Sequence, residues 1–183
     1  MKNQILIVHG TIGSGKSNRA EQIADRAKVK GYSVYGVISK RVMRGRETIG
    51  YNGNFPESGE IHKMVYRNTE VSGDNWKPLR GPFLFNEVTF KLAHDSLVKA
   101  AYLMDEKTLV IADEYGHLED RGFGLYLGIL RVIESLQGGG KLLILCRTDK
   151  IDNVIKMFKK ENRILIIEAK RRDFWDSLGD SFI

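Results

Sequence analysis

The chain has a single cysteine, Cys146, so no disulfide can close within it, which suits a reducing compartment. Cys146 ends the apolar run Leu142-Leu143-Ile144-Leu145, a setting for a small buried hydrophobe rather than a reactive thiol. Long apolar runs are also missing. Before His9 and Gly10 the N-terminus offers Lys2 and about five apolar residues, well short of a signal peptide or a membrane span. The expected location is therefore cytoplasmic, with no membrane partner. No repeat or low-complexity segment appears. No nucleic-acid-binding motif accompanies the net charge of +6, and the Lys and Arg residues are spread along the chain. That balance points away from DNA or RNA and towards a positive field that suits a small polyanion.

With 183 residues, 42% of them hydrophobic, the chain can bury one sizeable core, and a single domain over residues 1–183 is expected. Its most informative stretch is Gly10-Thr11-Ile12-Gly13-Ser14-Gly15-Lys16-Ser17, a full match to the phosphate-binding loop: two glycines separated by four residues, then a lysine and a hydroxyl. The context agrees. Ile5-Leu6-Ile7-Val8 upstream suits a strand buried on both faces, and Ala20, Ile23, Ala24 and Ala27 downstream recur at helical spacing. A loop that wraps a triphosphate must aim several backbone N–H groups inward at a helix N-terminus, where side chains would block the approach. Gly10, Gly13 and Gly15 leave that space, Lys16 reaches the β- and γ-phosphates, and the Ser17 hydroxyl is short enough to sit on Mg²⁺. A glycine-rich turn that binds nothing is the alternative, but the pattern arises by chance in roughly one chain in a hundred of this length. The expected nucleotide-binding set is Gly10, Thr11, Ile12, Gly13, Ser14, Gly15, Lys16, Ser17 and Asn18.

Downstream, the first helix should stop at Gly31 and be followed by a strand over residues 33–39. Arg41, Arg44, Gly45 and Arg46 then read as a hairpin turn into Thr48-Ile49-Gly50-Tyr51-Asn52, and residues 61–66 as another short strand. Residues 68–82 are polar and punctuated by Gly73, Pro78, Gly81 and Pro82, so they read as loop. The three hairpin arginines could meet phosphate or a partner; a solvated basic turn is the simpler reading. Helical spacing resumes over residues 86–104, with Val88, Leu92, Leu97, Ala100, Ala101 and Met104 near one face. His94 lies inside it without a companion ligand.

The run Leu109-Val110-Ile111-Ala112-Asp113-Glu114 is a buried strand ending in two carboxylates, as when a parallel strand delivers acids to the carboxyl edge of a sheet. Asp113 is expected to hold Mg²⁺ through its water shell. Glu114, pointing elsewhere, is expected to orient an attacking water or take its proton. A helix over residues 123–137 presents Leu127, Leu130, Ile133, Glu134 and Leu136 as an amphipathic face and ends at Gly138-Gly139-Gly140. A strand over residues 141–146 delivers Arg147 and Thr148 to the ligand edge. Asp149 or Asp152 should cap a helix reaching about residue 160, followed by a buried strand over 164–167 and a closing helix over 172–182.

Together these elements resemble one family. The loop at residues 10–17, Tyr35-Gly36-Val37 leading into an arginine-rich hairpin and Ile49-Gly50-Tyr51, the Asp113-Glu114-Tyr115-Gly116 element and the closing segment after Ile167 are similar to the small P-loop nucleoside-triphosphatases of the thermophile and cancer-related type. The resemblance implies an α/β, RecA-like fold: a mostly parallel central sheet with an additional strand, helices on both faces and an inserted antiparallel hairpin region. It implies slow Mg²⁺-dependent hydrolysis of several nucleoside triphosphates to diphosphate and phosphate. Four positions depart from the family's habit: Lys40 and Arg41 stand where acidic residues are usual, Tyr115 where an aliphatic is usual, and Asn18 where a second hydroxyl is usual. The expected enzyme is a hydrolase with Lys16 and Glu114 as catalytic residues, Ser17 and Asp113 at the metal, and arginine help from Arg121, Arg147 or the hairpin. A small-molecule or nucleotide kinase, with the basic hairpin as its lid, and a nucleotide-gated binding protein are the alternatives.

Overall fold

The computed structural model describes residues 4–158, 163–171 and 182–183. Its elements in chain order are β1 (Ile5–His9), α1 (Lys16–Val29), β2 (Ser33–Arg44), β3 (Glu47–Asn54), β4 (Ile61–Arg67), β5 (Trp76–Arg80), β6 (Phe83–Asn86), α2 (Glu87–Tyr102), β7 (Thr108–Tyr115), α3 (Tyr126–Ser135), β8 (Lys141–Cys146), α4 (Ile151–Ile155) and β9 (Ile164–Glu168). The strands form one sheet in the order β5-β6-β4-β3-β2-β7-β8-β1-β9. The half from β2 to β9 is parallel and the half from β3 to β5 is antiparallel. β8 stands between the phosphate-loop strand β1 and the acid-bearing β7, so the acids reach the loop across an intervening strand.

The apolar runs of β1, β7 and β8 are buried on both faces, as strands covered by helices must be. On one face Leu6, Val8, Leu109, Ile111, Leu143 and Leu145 pack against Ala20, Ile23, Ala24 and Ala27 of α1. On the other, Ile5, Ile7, Val110, Ala112, Leu142 and Ile144 meet α2, α3 and α4. Cys146 belongs to this second core, fully buried, and burial pushes its thiol up to about 12.

β2 is the hinge between the two halves. Residues 33–37 pair parallel with β7, and residues 38–44 pair antiparallel with β3 around a turn with Gly45 at φ 58. Gly36 permits the crossing: a Cβ there would sit 2.0 Å from the Ile111 carbonyl oxygen. Its amide donates instead to Ser96 Oγ at 2.8 Å, which ties β2 to α2.

Several expectations require correction. Residues 76–80 form strand β5 rather than loop, and residues 83–86 form β6, because their pairing leads back to β4, earlier in the chain. The buried face of α2 is Thr89, Ala93, Ser96, Leu97 and Ala100, while Val88 and Leu92 are exposed. In α3 Ile129 and Val132 are buried and Leu127 is exposed; Gly128 lets α3 approach α2, since a Cβ there would stand 3.0 Å from Leu97. Neither Asp149 nor Asp152 caps α4, which ends at Ile155; Asp149 accepts from Arg147 Nε at 3.0 Å. β9 is an edge strand in which Ile167 is buried and Ile166 exposed. The expected closing helix lies outside the described residues.

Candidate functional site

The loop at residues 10–17 joins β1 to α1 at the carboxyl edge of the sheet, and its shape depends on its glycines. Gly15 precedes α1 at φ 93, and Gly13 turns at φ 77, conformations that L side chains rarely adopt. A Cβ on Gly10 would press on Ser14 Oγ at 2.4 Å. Ser14 Oγ is itself buried with no hydrogen-bond partner among the described residues. A buried hydroxyl in a phosphate loop with no protein partner suits an anion. Lys16 is buried and its ammonium donates to the carbonyls of Gly10 at 3.0 Å and Thr11 at 3.1 Å. Thr11 and Ile12 are exposed, and Asn18 accepts from Lys40 Nζ at 3.0 Å, so the departure at position 18 meets the departure at position 40.

The two carboxylates arrive from the end of β7. Against β8, Asp113 pairs with Leu145 and Tyr115 with Cys146, leaving Glu114 as an extra residue of a bulge. A bulge re-aims a side chain, and here Glu114 faces Lys16, with Oε2 3.6 Å from the ammonium. The Asp113–Glu114 peptide bond is cis. Asp113 is 1% exposed, and its Oδ2 accepts from the Ser39 amide at 2.9 Å. Burial pushes the Asp113 carboxyl up to about 7, with Glu114 adding to the effect and Ser17, Ser39 and Lys16 opposing it. Burial also raises Glu114, while Lys16 pulls it back down.

Asp113 Oδ1 is buried without a hydrogen-bond partner among the described residues, and the Ser17 hydroxyl lies against the same carboxyl group. One carboxylate and one hydroxyl at the foot of a phosphate loop fit Mg²⁺, which takes few protein oxygens and fills its octahedron with water and phosphate. Among the described residues no cluster of three or more His, Cys, Asp or Glu is placed for a metal, so the donor set is of this sparse kind.

Ile12, Lys16, Ser17, Asp113 and Glu114 open into one cavity of about 740 Å³. Residues that the sequence left undecided also reach it. Arg41 extends from β2 over the loop, its guanidinium nitrogens 3.4 Å from where a Gly13 Cβ would stand. Of the other candidate arginines, Arg147 lines the cavity, whereas Arg44 pairs with Glu70 and Arg121 is an exposed member of the short turn over residues 119–121. Thr148 turns to His9, Oγ1 to Nδ1 at 3.2 Å. Tyr51, Leu79, Arg80 and Phe83 line the far side, and Arg80 holds His117 at 2.6 Å across the mouth. Those four were not foreseen because their strands meet the site through long-range pairing. Glu119 is buried and accepts from the amides of Gly116 and Leu125, which fixes the loop behind Glu114. No helix among the described residues is long and apolar enough to cross a membrane.

A glycine-rich loop closing on a buried lysine, an acid-bearing strand one strand removed and helices on both faces define a P-loop nucleoside-triphosphatase fold. The family model described as NTPase matches residues 5–178, and the chain belongs to that family. It is similar to a nucleoside-triphosphatase THEP1 of Pyrococcus abyssi, 34% identical over 59 residues that cover 32% of this chain and 33% of that relative. Its fold matches the crystal structure of THEP1 from Aquifex aeolicus, with TM-score 0.64, 18% identity, and 97% and 96% of the two chains covered. It also matches the solution structure of a human cancer-related nucleoside triphosphatase, with TM-score 0.66, 18% identity, and 97% and 94% covered.

Proposed function

We propose that this chain is a Mg²⁺-dependent nucleoside-triphosphatase that hydrolyses ATP, GTP and other nucleoside triphosphates to diphosphate and phosphate. The carrying observation is the meeting of Lys16 and Glu114 at 3.6 Å beside the unsatisfied oxygen of Asp113. The loop amides and Lys16 bind and orient the triphosphate, with Lys16 exchanging its hold on the Gly10 and Thr11 carbonyls for phosphate oxygens. Ser17 and Asp113 would hold a Mg²⁺, which would supply neutralisation of phosphate charge. Glu114 accepts the proton of a water that attacks the terminal phosphorus in line. Its carboxyl is suited to this because burial raises its basicity while Lys16 opposes the shift. Arg41 and Arg147 add positive charge where the terminal phosphate gathers negative charge, and most of the catalysis is electrostatic positioning.

The test is phosphate release from each common nucleoside triphosphate, with Mg²⁺ and with a chelator. Release that needs Mg²⁺ and varies little among bases is expected. Absence of release from every triphosphate overturns the reading.

A further inference from the structure

The cavity continues beyond Glu114, away from the phosphate loop. Tyr51 of β3 stands opposite Val65 of β4, and Val65 opposite Phe85 of β6. Phe83, two residues from Phe85, therefore lies on that same sheet face. Met64 is the extra residue of a bulge where Tyr51 pairs with Val65 and Asn52 with Lys63, so Met64 and Val65 both reach the cavity. Phe90 of α2 closes the wall and meets Phe85 edge-on at 5.5 Å. Tyr51 joins the two ends. Its ring lies 6.4 Å from that of Phe83, and its hydroxyl feels the charges of both Glu114 and Arg41.

Hydrolysis does not require this space. A water needs only about 30 Å³, whereas the cavity of about 740 Å³ runs on from the phosphate loop to a far side where Tyr51, Met64, Val65, Phe83 and Phe90 supply apolar surface and Arg80 a charge. The nucleoside does not claim it either. Lys16 marks the β- and γ-phosphate end of a bound nucleotide, and it lies against Glu114, on the side of β1 that faces β7, β2 and the antiparallel strands. The apolar compartment thus opens past the terminal phosphate, where an attacking group must stand.

We propose that this compartment binds a second substrate, a small aromatic alcohol, and that the enzyme passes the terminal phosphoryl group to its hydroxyl. In that step the alcohol oxygen bonds to the terminal phosphorus as the bond from phosphorus to the bridging oxygen breaks. The nucleoside diphosphate leaves with the electron pair, and the alcohol proton passes to the Glu114 carboxylate. Water attack is then the slower default when the compartment is empty. The inference rests on the triphosphate reading given above, since it uses the same loop and the same base.

The experiment uses 2-phenylethanol as the probe, at millimolar concentration with ATP and Mg²⁺, and follows both products by phosphorus NMR. A phosphate monoester signal for 2-phenylethyl phosphate is expected beside free phosphate. Val65→Trp, which fills the compartment without touching the loop or the acids, should lower monoester formation about tenfold or more while phosphate release stays within about twofold of the wild type. Phe83→Trp serves as the second filling variant if Val65→Trp loses its folded circular-dichroism signature. Phosphate release without monoester overturns the second site and leaves the hydrolase standing. Monoester that persists in both filled variants also overturns the second site. Absence of both products overturns the triphosphate reading with it.

Discussion

The ammonium of Lys16 lies 3.6 Å from Glu114 Oε2 and at the same time donates to the carbonyls of Gly10 and Thr11. Three oxygens of the protein thus surround one buried cation in the crook of the loop. If Glu114 is the base, it should matter little for nucleotide binding and much for turnover.

Glu114→Gln keeps the size and polarity of the side chain and removes its ability to take a proton. Turnover should fall by about 10²–10⁴-fold, while the nucleotide dissociation constant moves by less than about threefold, because phosphate replaces Glu114 as the partner of Lys16. Steady-state phosphate release and a fluorescent-nucleotide titration check the two numbers. Unchanged turnover ends the assignment of the base.

Arg41 has no carboxylate at ion-pair distance among the described residues, and its guanidinium hangs over Gly13. If it serves the terminal phosphate, Arg41→Ala should lower kcat by about tenfold or more, a modest share of what an arginine can contribute to phosphoryl transfer. Affinity for nucleoside diphosphate, which lacks that phosphate, should not change. A loss confined to diphosphate affinity would contradict the placement.

Asp113 carries the clearest pH signature. Its carboxyl is raised from 3.8 to about 7, chiefly by burial. The folded chain therefore binds this proton more tightly than the unfolded chain. That contribution to stability is fully present below the unfolded value and is lost as pH rises towards about 7. Asp113→Asn binds no such proton, so without metal it should be more stable than the wild type at about pH 8. The gain should be a few kcal/mol, because each tenfold difference in proton affinity between the folded and unfolded chains is worth about 1.4 kcal/mol. The advantage should vanish near pH 4. Thermal melts in chelator across that range test it, and parallel curves for the two proteins refute it. The same variant should lose its Mg²⁺-dependent turnover.

Gly36→Ala should be destabilised by about 3 kcal/mol or more, since the new methyl would meet a β7 carbonyl at 2.0 Å from a backbone already at φ 100. Denaturant melts measure this, and a loss below about 1 kcal/mol would mean that β2 and β7 can separate without cost.

Much of the site could be read in the chain because its chemistry is local. The spacing of Gly10, Gly13, Gly15, Lys16 and Ser17 is short enough to dictate a loop and a helix start within a few bonds, and Asp113 with Glu114 at the end of an apolar run announces a strand edge. The buried strands β1, β7 and β8 are visible as runs of branched apolar residues, and the hairpin tip as Gly45 among arginines. Local pattern fails where partners decide. Trp76-Lys77-Pro78-Leu79-Arg80 has no strand pattern of its own and becomes β5 through β6. The inner faces of α2 and α3 are chosen by their contact with each other and with the sheet, so Ala93 and Ser96 are buried while Leu92 and Leu127 are not.

Covalent neighbours were thus enough to specify a glycine-rich cradle, its lysine and two acids, since each works within a turn or two of backbone. Which arginine hangs over that cradle, what lines the space beyond Glu114 and which side of β1 the inserted strands take were settled by pairings between residues far apart in the chain. Those pairings depend on sheet register and close approach, and neither is written in a single stretch.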